Sequence, residues 1–143
     1  MLRSLVLASV ASAALASGPL PPLPLGLLQE PAPKPDQLTV TVSRTGNPRA
    51  DGSYELTCKP VGGTHPEAKR ACARLESFAA EDTDPFAPVS TRSLCTQQHG
   101  GPATARVTGT WRGKPVDAAF DQKNGCEISR WKDLEPVLPS VRS

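Results

Sequence analysis

Four cysteines constrain this chain more than any other feature. They are Cys58, Cys72, Cys95 and Cys126. Only 4% of the residues are aromatic and 38% are hydrophobic, so the chain can build only a small core. Small secreted domains of this kind use disulfides to supplement hydrophobic burial. Four cysteines allow three pairings, and their spacing alone does not choose among them. The sequence therefore predicts a small domain with two disulfides, whose pairing is left open.

The first 16 residues predict a secretory signal peptide. Arg3 supplies the positive charge, an apolar stretch covers residues 5–16, and Ala14 and Ala16 are the small residues that signal peptidase requires. We place the cleavage after Ala16. A membrane-spanning helix needs roughly 20 apolar residues, which is longer than this stretch. We therefore predict a secreted, extracellular protein that keeps no membrane attachment once the signal is removed.

Residues 17–36 contain seven of the chain's 16 prolines and predict an extended, disordered leader. Residues 37–143 are then a single domain of ordinary small size. The formal net charge of the precursor is only +2, and its Lys and Arg residues do not cluster into a stripe. This charge distribution argues against nucleic-acid binding.

Alternating hydrophobic residues predict β-strands. In the first strand, Leu38, Val40 and Val42 fall on one face, which is typical of a half-buried strand. Later in the chain two alternating segments flank a turn at residues 112–114, which predicts a hairpin. The strands that these patterns predict cover residues 38–43, 53–59, 104–111 and 115–121.

One main helix is predicted after the second strand. Thr64 and Glu67 have the spacing of a capping box, in which each side chain binds the other residue's amide. The helix that follows presents one apolar stripe and ends near Glu81. We interpret His65 as part of the turn at the helix start. Together these elements predict an α+β domain in which the helix packs on an antiparallel sheet.

Several motifs together resemble the Streptomyces subtilisin inhibitor family. A Gly-Thr-His-Pro turn at residues 63–66 lies inside the first cysteine loop, and a polar tripeptide at residues 96–98 follows the third cysteine. Residues 109–114, Gly-Thr-Trp-Arg-Gly-Lys, look like the family's G-x-W-x-G-K hairpin. The resemblance covers residues 38–127, and the order of these features makes it specific.

The resemblance implies a fold and an assembly. It implies disulfides Cys58–Cys72 and Cys95–Cys126, a sheet of about five strands, and two helices. Because the tail after Glu127 departs from the family pattern, a second short helix is left open here. The family also pairs as a homodimer through its sheet, and the alternating neighbours of Trp111 offer an apolar face for such pairing.

The resemblance further implies a secreted protein that inhibits serine proteases, of the subtilisin-like or trypsin-like kind, by presenting a substrate-like loop. The protease partner would be extracellular. Carried over residue by residue, the reactive bond joins Gln97, the P1 residue, to Gln98. The other site residues implied are Leu94, Cys95, Thr96 and His99 in the binding loop, and Asn124 as a support of that loop.

Two features of the loop depart from the family. The usual P1 residue is apolar or basic, and Gln97 is neither. Gly100 and Gly101 add one residue before Pro102, and two glycines predict a looser loop that costs more entropy to order. We therefore expect a weaker or differently targeted inhibitor.

Other functions compete with this interpretation. The loop can be a plain solvated connection, or Gln97 and Gln98 can be glutamine donors for an extracellular transglutaminase. A zinc site with His65 and His99 is disfavoured because the chain has no C-x-x-C pair. No nucleophile, base and orienting group are recognisable as an enzyme site. We predict a non-enzymatic protein without metal or cofactor.

Overall fold

The computed structural model describes Leu15, residues 17–22 and residues 35–141. The predicted signal peptide therefore lies outside the described residues, apart from Leu15, and the predicted leader is described only in part. Residues 17–22 contain neither helix nor strand. Within the described part of the chain, no helix is long and apolar enough to cross a bilayer.

Residues 37–133 form five strands and two helices. Their order is β1 (Gln37–Ser43), β2 (Gly52–Cys58), β3 (Val61–Gly63), α1 (Ala68–Ala80), β4 (Thr104–Trp111), β5 (Lys114–Phe120) and α2 (Gly125–Asp133). The strands make one antiparallel sheet in the order β3-β2-β1-β4-β5. The predicted α+β class is confirmed, and the second helix that the sequence left open is present.

The inner face of the sheet carries the hydrophobic core. Leu38, Val40 and Val42 on β1 are all buried, and Val40 pairs with Val107 on β4. A slip of one residue would turn this entire row toward solvent, so the alternation fixes the register. The two helices close the core from above with Leu75 of α1 and with the buried residues Ala71, Cys72 and Trp131.

The tail after α2 belongs to the same core. Leu134, Val137 and Leu138 are fully buried, and Trp131 donates its indole N–H to the carbonyl of Pro139 at 2.8 Å. Burying a large aliphatic side chain stabilises a fold by about 1.5–3 kcal/mol. The segment that departs from the family pattern is therefore a structural part of this domain.

The start of α1 differs from the predicted capping box. Thr64 instead accepts a hydrogen bond from the Glu55 amide on β2, at 2.9 Å, so its hydroxyl is engaged by the sheet. The Glu67 amide donates to Nδ1 of His65 at 3.1 Å. Because Nδ1 accepts, the other nitrogen of buried His65 donates to the Val137 carbonyl, 2.9 Å away. His65 thus lies in the predicted turn and also fastens the carboxy-terminal tail.

The turn between β4 and β5 has two residues, Arg112 and Gly113, both with positive φ (51° and 74°). Such a turn matches the twist of the strands it connects. Both amides donate to the carboxylate of Asp36, at 2.7 and 3.1 Å. Asp36, which the sequence assigned to the leader, is therefore bound to the domain. Lys114, predicted to belong to the turn, begins β5.

Trp111 lies in the core rather than on an exposed apolar face, since only 7% of it is accessible. The opposite face of the sheet is polar. There, Arg106 donates two hydrogen bonds to Asp117, each of 2.9 Å, and the Glu55 carboxylate accepts from Thr39 at 3.1 Å. The apolar argument for a dimer through Trp111 was therefore wrong, because the helices already cover that face.

Candidate functional site

The predicted inhibitory loop lies within a long irregular connection. Residues 81–103, between α1 and β4, contain no helix or strand. Irregular connections of this length are uncommon in compact domains and are usually functional or disordered. Leu94 is fully exposed, and residues 96–99 are all exposed as well. The Gln97–Gln98 bond therefore lies on the surface, accessible to a protease.

Both implied disulfides are confirmed. Cys58 pairs with Cys72 and Cys95 pairs with Cys126, with Cα–Cα distances of 5.4 and 5.3 Å. The second bond ties the loop, just before Gln97, to the first turn of α2. Every cysteine is thereby used, which leaves no thiolate for zinc. Residues 35–141 and the shorter described segments contain no group of three or more potential metal ligands.

Two backbone hydrogen bonds enclose the exposed residues 97–99. On its amino-terminal side, the Gly125 amide donates to the Thr96 carbonyl at 3.1 Å. On its carboxy-terminal side, the Gly100 amide donates to the Gln122 carbonyl at 2.7 Å. Residues 97–99 thus extend between two points that are fastened to the same part of the molecule.

Gly125 allows the loop to approach the start of α2. A Cβ atom at this position would lie 2.1 Å from Oγ1 of Thr96, far inside contact distance. Any larger residue here would push the Thr96 side chain aside or move the loop. The glycine at this helix start is therefore explained by the close approach of Thr96.

Gly100 is fixed, which differs from the looseness that the sequence predicts. Its amide is bonded to Gln122, and a Cβ atom here would lie 2.7 Å from the Gln122 Oε1 and 3.1 Å from a carbon of Ile128. Gly101 has a φ of +108°, so it turns the chain, and its amide donates to Nδ1 of His99 at 3.2 Å. Gly100 looks flexible in sequence because Gln122 and Ile128, which pack against it, are distant in the chain.

Asn124 is the N-cap of α2. Its side-chain oxygen accepts a hydrogen bond from the Glu127 amide at 3.0 Å, which caps the helix. An N-cap of this kind stabilises a helix by about 0.5–2 kcal/mol. Among the described residues, no hydrogen bond joins the Asn124 side chain to residues 94–99. Asn124 therefore starts the helix that carries Gly125 and Cys126.

Arg130 on α2 is a residue of the site that the sequence did not reveal. Its guanidinium donates to the Ala87 carbonyl at 2.9 Å, to the Phe86 carbonyl at 3.2 Å and to the Ala119 carbonyl at 2.7 Å. It also lies 3.3 Å from the carboxylate of Glu127. In the sequence, the three-residue spacing of Glu127 and Arg130 is typical of an ion pair on the surface of a helix. Only the folded chain brings the loop flank to it.

Comparisons with known proteins identify the family of this chain. Residues 34–124 match the family model described as subtilisin inhibitor-like, so this chain belongs to the subtilisin inhibitor-like family. It is 33% identical over 96 residues to subtilisin inhibitor-like protein 1 of Streptomyces cacaoi, covering 64% of this chain and 86% of the relative. The α2 helix lies outside the matched residues.

Two further relatives cover more of this chain. Kexstatin-1 of Streptomyces platensis is 32% identical over 131 residues, which is 88% of this chain and 86% of the relative. The subtilisin inhibitor of Streptomyces violaceus is 34% identical over 113 residues, or 72% of this chain and 76% of the relative.

Proposed function

We propose that this chain is a secreted inhibitor of extracellular serine proteases, subtilisin-like or trypsin-like, with its reactive bond between Gln97 and Gln98. Family membership and the names of the relatives support protease inhibition in general. The observation that carries the proposal is the exposed segment of residues 97–99, which is held on both sides. Its amino-terminal side is fastened at Cys95 and Thr96, and its carboxy-terminal side at Gly100.

The geometry accounts for inhibition by a substrate-like ligand. An extended loop enters the protease cleft and adds main-chain hydrogen bonds to the enzyme's own strand. Because the loop is ordered beforehand, binding loses little conformational entropy and becomes tight. If the protease cleaves the bond, the end at Gln97 stays tied through Cys95–Cys126 and the end at Gln98 through Gly100. The two ends remain close enough for the peptide bond to re-form, so cleavage does not release the inhibitor from the protease.

Two loop side chains set the specificity in this proposal. Gln97 enters the pocket for P1 and offers a carboxamide, which can donate and accept hydrogen bonds but brings no charge. Leu94, three residues before it, is a fully exposed apolar side chain. Its burial by a protease would contribute about 1.5–3 kcal/mol. The target would therefore have an apolar subsite for Leu94 and a P1 pocket that accepts a neutral polar group.

The decisive experiment changes the P1 residue. The wild-type protein is titrated against subtilisin, and the bond cut in the complex is identified by sequencing, with Gln97–Gln98 expected. Gln97→Lys should create or improve trypsin inhibition by about 10–100-fold, because a charge-assisted hydrogen bond in the pocket contributes about 1.5–3 kcal/mol. Gln97→Met should favour subtilisin instead, through apolar burial.

The matched control for added charge is Thr91→Lys, on the same exposed segment. It should leave trypsin inhibition unchanged. If Gln97→Lys has no effect on trypsin at high excess of the protein, the loop is not a reactive-site loop.

The assembly is also part of the proposal. A homodimer through the sheet would use the polar outer face, where Arg106 and Asp117 form an exposed ion pair. Light scattering measures the mass of the particle in solution. At about 10–100 μM protein, a dimer of ordinary affinity would be populated. A monomer mass there contradicts the dimer and leaves the inhibitor proposal intact.

A second candidate function rests on the exposure of Gln97 and Gln98 side by side. Exposed glutamines in an extended loop are accessible as acyl donors for an extracellular transglutaminase. Incubation with that enzyme and a labelled amine, followed by peptide mapping, tests it. Label at Gln97 or Gln98, together with no inhibition of subtilisin or trypsin, would favour this function over the inhibitor.

A further inference from the structure

We propose that Arg130 is a positioning residue for the inhibitory loop. Its guanidinium fixes the segment at Phe86 and Ala87, where the loop's amino-terminal flank begins, to the same helix that holds Cys95. The inference rests on the proposed inhibitory function and adds to it a residue outside the region that matches the family model.

The guanidinium of Arg130 connects separate backbone segments through hydrogen bonds. Three backbone carbonyls accept from it, two in the loop flank and one, that of Ala119, in β5. The guanidinium group is planar and carries several donors in fixed directions, so it can join separate backbone segments in one geometry. Hydrogen bonds from a charged donor are stronger than neutral ones. Arg130 therefore ties the flank to both the helix and the sheet.

The surroundings of Arg130 keep it in place. Its side chain is only 12% exposed, and its counter-charge Glu127 is 14% exposed. On another side the guanidinium lies over the ring of Phe120, 3.9 Å from the centroid. A charge this far from solvent is costly unless it is paired and hydrogen-bonded. Arg130 cannot turn away without leaving its charge or the carbonyls unsatisfied, so its position is well defined.

Arg130 and Cys126 lie four residues apart on α2, so they share one face of the helix. Cys126 holds the loop at Cys95, and Arg130 holds the flank at Phe86 and Ala87. The two anchoring positions on the helix are thus about one turn apart. The segment between them, residues 88–94, is fixed at both ends by the same rigid element.

This segment has little packing of its own. Most of residues 88–94 are exposed, and a groove of about 610 Å³ separates it from α2. Leu94 and Thr96 line the groove on the loop side, and Ser129 and Arg130 line it on the helix side. Because side-chain packing does not fill this space, the end attachments determine where the segment lies. Loss of one attachment therefore acts on the loop directly.

Arg74 on α1 provides a matched control. Its Nε donates to the Asp133 carbonyl at 2.7 Å, and its guanidinium lies over the ring of Phe78 at 4.3 Å. As at Arg130, a guanidinium donates to a backbone carbonyl and lies over an aromatic ring, but here the contact joins α1 to the end of α2. Arg74 therefore stabilises the fold and does not fasten the loop flank.

The test compares Arg130→Gln, Arg130→Lys and Arg74→Gln in the full secreted protein. Backbone order parameters of residues 88–99 are measured by NMR in the free protein, beside the Tm and the inhibition constant for subtilisin. In Arg130→Gln the order parameters should fall from about 0.85 toward 0.6. The inhibition constant should rise about tenfold, since the loop must then be ordered on binding.

Arg130→Lys keeps the charge but not the planar guanidinium, so it should fold well and show an intermediate loss of order. Arg74→Gln should lower the Tm less than Arg130→Gln, because one tertiary carbonyl loses its donor and no buried carboxylate is left unpaired. It should leave loop order and inhibition unchanged. Unchanged order parameters in both Arg130 variants overturn the proposal. Equal loss of loop order in Arg74→Gln overturns it too, because the effect would then be general destabilisation.

The order parameters are measured without any protease. If the wild-type protein inhibits nothing, the inhibitory function fails, while the NMR result still decides whether Arg130 positions the loop.

Discussion

The two disulfides use the same chemistry in two different settings. Cys58–Cys72 joins the end of β2 to α1, two elements that the sheet and the core already hold together. Cys95–Cys126 joins an irregular, largely exposed segment to α2. The first bond therefore reinforces a geometry that other contacts define. The second defines a geometry that few other contacts specify.

The two disulfides differ in role, but they contribute similar free energies to the stability of the fold. On the loop-entropy model the shorter loop stabilises the fold by about 3 kcal/mol and the longer one by somewhat under 4 kcal/mol. Each is a large fraction of the stability of an ordinary domain. Their similar contributions to stability imply that inhibition, and not melting temperature, distinguishes them.

Removal of each disulfide gives the largest expected effect and tests this comparison directly. Cys95→Ser with Cys126→Ser should weaken inhibition by about a hundredfold or more, because the bond beside P1 no longer holds the reacting groups in place. Cys58→Ser with Cys72→Ser should lower the Tm by a similar amount and leave inhibition by the folded protein nearly unchanged. Titration at a temperature where both variants are folded, checked by circular dichroism, measures this. If both variants lost inhibition equally, the proposed difference in role between the two disulfides would be wrong.

Gly125→Ala tests the position of the loop with both disulfides intact, and its expected effect is smaller. The added methyl would meet Oγ1 of Thr96 at 2.1 Å, so the loop must shift. Inhibition should weaken about tenfold, since a displaced reactive bond binds less well. Alanine is favoured over glycine by up to about 1 kcal/mol in a helix interior, but Gly125 is the first residue of α2 and the displaced Thr96 offsets the gain, so the Tm should change little.

The rescue for this variant is Thr96→Ala with Gly125→Ala, which removes the clashing oxygen. The double variant should recover most of the inhibition lost by Gly125→Ala. No recovery beyond the single variant Thr96→Ala would show that the contact between the two residues is not the cause.

A substitution of Asp51 should have the smallest effect. Asp51 lies at the turn between β1 and β2, in the same sheet as Cys58. Its carboxylate accepts from the side chain and the backbone amide of Thr45, at 2.7 and 3.0 Å, and these bonds hold the pKa of Asp51 below its ordinary value of 3.8. The resulting stability is fully present above pH 3.8 and is lost as the pH falls through the lower, folded-state pKa.

Asp51→Asn should therefore reduce the drop in Tm on acidification below that pH. Inhibition at neutral pH should be unaffected, because no hydrogen bond or ion pair joins residues 44–51 to residues 94–101. A change in inhibition at neutral pH would contradict the separation of the two regions.

The sequence alone determined the parts of this protein that depend on local pattern. Period-2 alternation located β1, β2, β4 and β5 within one residue of their ends, because one face of the sheet is buried along its length. The spacing of motifs around the cysteines indicated the family, and with it the disulfide pairing. The exposed tripeptide at Gln97 was found for the same reason, since it follows a cysteine whose place in the pattern is recognisable.

Only the tertiary structure decided how the loop is held. Thr64 caps no helix because the Glu55 amide of a neighbouring strand binds it, and Gly100 is fixed because Gln122 packs against it. Arg130 contacts carbonyls more than 40 residues earlier in the chain. Side chains in such contacts follow no local period, so no pattern in the sequence marks them. They are specified by the positions of α2 and the sheet, which exist only once the chain has folded.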